Sequence, residues 1–297
     1  MIGCIRGRVV GATTDLFSHG PTPLADTLEH PGDPGLLGPD SVSWRVIGDV
    51  AAFVGGVRAL IVQTAHPEVV AGVEQHSVYR SDPLGRLART SRYVTETTYG
   101  SAPEVERAVA MVRRAHVGVR GRSERGRPYS ASQPEMAAWV HNVLTDSFLA
   151  AYQAFGPSPL EEAEADRFVE EQTRIGALLG AAPLPPTATS LRRWIVEHPA
   201  VDTSDAQRQS LEFLRNPPLP LPASVGYRMV FDAAVATLPE PLVEATGLSS
   251  RPGATAAGRV GLRALRWALG SSPAWHVALV RAGAPVPDGV FRQPIAA

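Results

Sequence analysis

The sequence predicts an all-α protein built as a single helical domain, and three observations carry that expectation. From Ser41 onward, apolar residues recur at helical spacing in segments that are each bounded by proline, glycine or a capping residue. No alternating run is long enough to predict a sheet; only Arg6 to Val10 and Tyr227 to Phe231 read as short strands. A chain of 297 residues, 44% hydrophobic and 19% charged, buries a substantial core without covalent staples.

The elements follow in chain order. Residues 1–40 form an N-terminal arm, whose stretch PTPLADTLEHPGDPGLLGPD is rich in proline, glycine and aspartate and suits an irregular path. Helices are expected at about 42–64, 67–79, 84–98, 102–117, 133–154, 160–180, 187–197, 204–214, 223–237 and 257–269, within a helical domain spanning 41–283. The breaks between them include His66-Pro67, Gly100, Gly121, Gly156 to Pro159, Pro185-Pro186, Pro217-Pro218 and Pro239 to Pro241. The tail 284–297 reads as extended. At the N-terminus, Arg6 and Arg8 interrupt any apolar run of signal-peptide length, so no export signal and a cytoplasmic location are expected. Val46 to Ala65 has the length of a membrane span but carries Asp49 and Arg58, which favours a buried helix and no transmembrane segment.

Charge and motifs exclude several classes. The 28 basic residues are all arginine and are balanced by 29 acidic ones, for a net charge of -1, which argues against a nucleic-acid partner. Without a lysine there is no Schiff base and no P-loop. The lone Cys4 rules out an internal disulfide, a CxxC pair and a CxxCH attachment site. GxGxxG, Walker A, GxSxG and HExxH motifs are missing, and no histidine follows a glutamate by three positions as in di-iron bundles. The acidic run from Glu161 to Glu171 reads as a solvated helix face. A two-histidine, one-carboxylate iron site is conceivable from His66, His76 and Glu74, but both histidines sit at helix ends, where capping or packing explains them. His141 borders an apolar face and reads as structural.

Two segments carry more information. In EVERAVAMVRRAHVGV, at about 100° per residue, Val105, Val109, Val112 and His116 share one narrow sector, so His116 lies in an apolar stripe. An imidazole there needs a hydrogen-bond partner or a metal; periodicity leaves open a core histidine bonded to a carbonyl and a metal ligand. In SDPLGRLARTSRYVTETTYG, Arg86, Thr90, Tyr93 and Thr97 share a helix face, an arginine-hydroxyl array suited to carboxylates or to plain solvent.

The order of four marks, Ala-His-Pro at 65–67, Arg86-x-x-x-Thr90, His116 to Gly121, and Tyr129 to His141, resembles the oxygenase family of the fungal MpaB enzymes and the rubber-cleaving latex clearing proteins. The similarity runs from about Trp44 to Leu149 and weakens beyond it. It implies a globin-related helical core with extra helices, holding a non-covalent haem b. The family's proximal iron ligand matches His116, and its arginine and threonine near the haem match Arg86 and Thr90. Arg89 occupies the position that is lysine in latex clearing proteins; it is the second candidate catalytic residue beside His116, although arginine stays protonated and is a poor iron ligand. The glutamate proposed as base in rubber cleavage has no match, since Glu74 lies at the wrong offset, so cleavage of polyisoprene is not expected. The resemblance implies an oxygenase that uses dioxygen or peroxide on an apolar small molecule, at an alkene or electron-rich carbon. The alternatives are a non-catalytic haem sensor or carrier, and a helical interaction protein with a decayed haem site.

Overall fold

The computed structural model describes residues 6–7, 10–11, 22–221 and 223–293. Cys4 lies outside the described residues, as do Arg8 and Val9; Arg6, Gly7 and Val10 of the segment read as a short strand are helical instead, five residues being too few to separate the two periods. Among the described residues, thirteen α-helices follow a 3-10 turn at Thr27–Glu29: α1 Val42–Gly48, α2 Ala51–Gln63, α3 Pro67–His76, α4 Pro83–Tyr99, α5 Ala102–Val117, α6 Pro134–Phe155, α7 Glu162–Leu178, α8 Ala188–Val196, α9 Asp205–Arg215, α10 Ala223–Val235, α11 Glu240–Thr246, α12 Ala254–Leu269 and α13 Pro273–Ala282. One antiparallel pair, β1 Arg120–Arg122 and β2 Pro128–Ser130, separates α5 from α6, with Gly121 opposite Tyr129. The protein is all-α, as the periodicity predicts.

Local chemistry explains most helix boundaries. Ser41, Asp82, Thr187 and Ser204 each accept a backbone N–H from the first turn of the helix that follows, satisfying a donor the helix cannot satisfy itself. Proline opens α3, α4, α6 and α13, where its missing N–H costs nothing. Gly247 and Gly283 close α11 and α13 in the left-handed region, at φ 64° and 65°.

Three departures from the sequence expectation have physical causes. The single helix expected over 42–64 is two, because Asp49 is extended (φ -85°, ψ 150°) and its carboxylate accepts both Nε and Nη2 of Arg266, at 2.6 and 2.7 Å. No single helix is long and apolar enough to cross a membrane. Tyr227 to Phe231, read as a strand, lies inside α10; Val230, Phe231 and Ala234 are buried at helical spacing, a period that five residues cannot reveal. Helices α11 and α13 were not expected, because the prolines that start them read equally well as stops.

The chain divides into two compact units. The first comprises Met1–Val50, Val78–Met111 and Gly261–Ala297. Its core holds Leu24, Trp44, Tyr99, Ala278 and Leu279. Trp44 Nε1 donates to the Thr98 carbonyl at 2.7 Å and Tyr99 Oη donates to the Trp44 carbonyl at 2.8 Å, so each buried polar group is satisfied by a backbone carbonyl while the two rings pack. Arg281, also buried, fastens the irregular arm by donating to Thr27 Oγ1 and to the Asp33 and Tyr99 carbonyls. The tail returns to bridge Gly270 through Phe291.

The second unit comprises Ala51–Ser77 and Val112–Val260, and its core is the crossing of α2 with α6. Gly55 makes this approach feasible: a Cβ there would sit 2.6 Å from the Phe148 ring and 2.9 Å from the Phe148 Cα. Arg58, one turn further along α2, is fully buried against Asp146 on α6.

Candidate functional site

Helix α5 contributes Ala102 to Met111 to the first unit and its last residues, including His116, to the second. Its apolar stripe is closed over the first half, where Val105, Ala108 and Val109 are buried, and opens over the second, where Val112 and His116 are only half-buried. Burial lowers the His116 pKa from its ordinary value, so the imidazole is neutral at neutral pH. Among the described residues no hydrogen bond reaches its ring nitrogens; its backbone carbonyl accepts from Val119 N at 3.1 Å and from Ser132 Oγ at 3.4 Å.

The hairpin that follows α5 is held by α3. Tyr129 Oη donates to Gln75 Oε1 at 2.6 Å, Gln75 Nε2 donates to the Arg122 carbonyl at 3.0 Å, and His76 Nε2 lies 3.1 Å from the Arg120 carbonyl. Gly121 must lack a side chain here, because a Cβ would sit 2.7 Å from both Gln75 Oε1 and Tyr129 Oη. Glu68, further up α3, accepts from Ser123 Oγ at 2.8 Å and from Arg125 Nη2 at 2.5 Å. The hairpin therefore couples the end of α3 to the turn that follows His116. This anchoring explains the glycine and tyrosine of two of the sequence marks, whose purpose local pattern does not reveal.

In the first unit, α4 carries the other candidates. Asp82 caps the helix, accepting Gly85 N at 2.9 Å, and pairs with Arg89 at 3.2 Å; the Arg89 side chain is 60% exposed. Arg86 is half-buried, with its guanidinium 5.6 Å from the centre of the Tyr79 ring. Thr90 Oγ1 donates to the Arg86 carbonyl at 3.1 Å, and Thr97 Oγ1 likewise turns back to the Tyr93 carbonyl at 2.8 Å. The predicted polar face thus exists, with both hydroxyls engaged by their own helix. Tyr93 stands apart: its hydroxyl is buried with no hydrogen-bond partner among the described residues, and desolvation pushes its pKa up, so it is a neutral donor.

His66, His76 and His141 are engaged in packing or hydrogen bonds of the fold. His66, Glu74 and His76 do not form a metal site, and among the described residues no cluster of three potential ligands occurs. Glu74 accepts from Ser210 Oγ at 2.7 Å. His66 packs against Trp139 and His198, and burial pushes its pKa down to about 4. Its Nδ1 is 3.4 Å from Glu68 Oε2 but is misaligned for a hydrogen bond. A neutral ring makes no ion pair, so we read this contact as packing.

His141 is buried, hydrogen-bonded to the Gln172 backbone and held by burial at about 4. Unfolded, it titrates near 6.5, so between those values the unfolded chain binds a proton that the folded chain refuses. The associated stability is complete above pH 6.5 and is lost as pH falls through 4, by about 3 kcal/mol. His141→Gln should therefore flatten the fall of the urea midpoint between pH 7 and 4. An unchanged slope would mean that this ring is protonated in the fold.

The decisive comparison is with known families. The family model described as "ER-bound oxygenase mpaB/B'/Rubber oxygenase, catalytic domain" matches residues 44–270, most of the chain. The chain belongs to this family. The match starts at Trp44 in the first unit, extends past the resemblance that fades near Leu149, and ends at Gly270, the partner of the tail. No curated protein and no solved structure matches. This member of the mpaB/rubber oxygenase family carries an oxygenase catalytic domain. In it Arg86 and Thr90 sit one turn apart on α4, Arg89 projects to the surface, and His116 ends the stripe of α5.

Proposed function

We propose that this protein is a haem b-dependent oxygenase acting on an apolar small molecule with dioxygen or peroxide. One observation carries the reading: a neutral, half-buried imidazole at the open end of an apolar stripe, with no hydrogen bond to its ring nitrogens among the described residues. A neutral imidazole not already held by a carbonyl or carboxylate keeps a lone pair available for iron. The Tyr93 hydroxyl, buried and without a hydrogen-bond partner among the described residues, also supports the reading, since a bound polar group would satisfy it.

When bound, haem would supply the activation of oxygen for addition to an alkene or an electron-rich carbon. His116 would hold the iron through one ring nitrogen; a neutral histidine pushes less electron density than a thiolate, which suits such an addition better than attack on inert C–H bonds. Arg86 would neutralise a propionate and Thr90 would bond beside it. Arg89, paired to Asp82 and largely exposed, would stay protonated and would not ligate iron.

The absorption spectrum and pyridine haemochrome of the purified protein test the proposal, followed by oxygen consumption with candidate alkenes. A colourless preparation from haem-replete cells overturns it. Tyr93→Phe supplies a second test. Removing a buried unpaired hydroxyl should stabilise the haem-free protein by about 1 kcal/mol, and should speed haem transfer to apomyoglobin if the phenol serves a bound group. Unchanged haem transfer would confine Tyr93 to packing.

A further inference from the structure

We propose that the end of α5 and the hairpin after it dock this protein onto an anionic lipid surface. The inference stands on charge and exposure and does not rest on the haem reading. Residues 112–130 carry six arginines and one acidic residue, a net charge of +5 in a chain whose total is -1, which leaves -6 for everything else. Such segregation gives the molecule a basic face. Three bonds hold the end of α5 and the hairpin together as one surface. Val119 N donates to the His116 carbonyl at 3.1 Å, Ala131 N to the Val119 carbonyl at 2.9 Å, and Ser132 Oγ to the His116 carbonyl at 3.4 Å. On β1, Arg120 and Arg122 alternate with Gly121, whose own face meets Gln75 and Tyr129, so the two arginines share the outward face. Arg113, Arg114 and Arg127 are exposed as well.

The carboxylates around the hairpin are already committed. Glu124 accepts the first N–H groups of α9, from Asp205 at 2.8 Å and Ala206 at 2.6 Å. Glu68 and Asp202 both pair with Arg125, and Glu74 accepts from Ser210. Among the described residues, the side chains of Arg113, Arg114, Arg120 and Arg127 make no ion pair or hydrogen bond, and Arg122 donates to the uncharged Gly126 carbonyl. The dipole of α5 accounts for Arg114 in its last turn but not for the arginines of the hairpin. Like charges gathered on one surface repel, so a negative partner stabilises it. Val117 decides which partner. It ends α5 among these arginines and is 69% exposed, and Gly118 beside it borders open space. A bilayer offers phosphates that match the guanidinium fork and, just beneath them, an apolar layer for the valine. An acidic protein would satisfy the arginines and leave the valine against carboxylates.

The test is co-sedimentation of the full chain with vesicles of phosphatidylcholine alone and of phosphatidylcholine with about one third phosphatidylglycerol. The parent is expected to bind the second and not the first, and to release as salt screens the charges. Each arginine near an anionic surface contributes about fivefold, so the triple variant Arg113→Gln, Arg120→Gln, Arg127→Gln should bind about a hundredfold more weakly. These side chains hold nothing in the fold, and an unchanged thermal melt checks that. The same change at Arg174, Arg215 and Arg263, exposed on other helices, removes equal charge and should alter binding by less than about threefold. Val117→Ser should weaken binding by about threefold or more, through the apolar contact it removes. A parent that does not distinguish the two vesicles, or a control triple variant that loses as much as the first, overturns the proposal. Binding of Val117→Ser equal to the parent's, or retention of the parent on immobilised polyglutamate with no vesicle binding, assigns the face to an acidic protein and overturns the choice of lipid. A colourless parent that still selects phosphatidylglycerol sinks the haem proposal alone.

Discussion

His116→Ala, purified from haem-replete cells, is expected to lose most of its Soret absorbance while keeping its helical circular dichroism. The side chain is half-buried in the last turn of α5 and makes no hydrogen bond within the described protein, so truncating it leaves no orphaned partner. Its cost to folding should stay within about 1 kcal/mol, typical of sites outside a packed core. Coordination, by contrast, disappears entirely. Added imidazole should restore the band in His116→Gly, because the ligand is replaced and the helix is not asked to move. If the spectrum survives His116→Ala unchanged, the iron is held elsewhere. His66 and His141 are then poor candidates, being enclosed by neighbours, and His76 must leave the Arg120 carbonyl to serve.

Trp44→Ala should produce the largest loss of stability in the first unit. The indole is fully buried, packs on Tyr99 at 5.5 Å between ring centres and donates to the Thr98 carbonyl. Removing it leaves a cavity and an unpaired carbonyl, about 3–5 kcal/mol for the cavity and about 1 more for the hydrogen bond. Trp267→Ala is the control, since that side chain is 46% exposed and should cost under about 1 kcal/mol. Thermal melts followed by near-ultraviolet circular dichroism separate the two; equal shifts would mean that Trp44 is not a core residue.

Both predictions rest on positions that the sequence already singles out, one as an apolar-stripe histidine and the other as the start of the family resemblance. Much else was legible for the same reason. Caps such as Asp82 and Thr187, and prolines such as Pro67 and Pro134, act within one turn, so residue type and spacing reveal them. The break at Asp49 was not legible, because its cause is Arg266, 217 residues away. Nor was the value of Tyr93. Its spacing matches that of Thr90 and Thr97, and only the structure separates two hydroxyls turned back to their own helix from one with nothing to bond. Arg58 read as a charge interrupting an apolar run, and its half-satisfied guanidinium emerges only once α6 lies against α2.

By itself the sequence determined that the chain is helical, where most helices begin and end, and which family it joins. Those properties depend on periodicity, local capping and the order of short motifs, all of which operate along the chain. Tertiary structure decided which buried polar groups are satisfied and which remain free to take a ligand. That outcome depends on atoms contributed by distant segments. It also depends on the exclusion of water, which turns an unpaired nitrogen or hydroxyl from a matter of indifference into a reason to bind something.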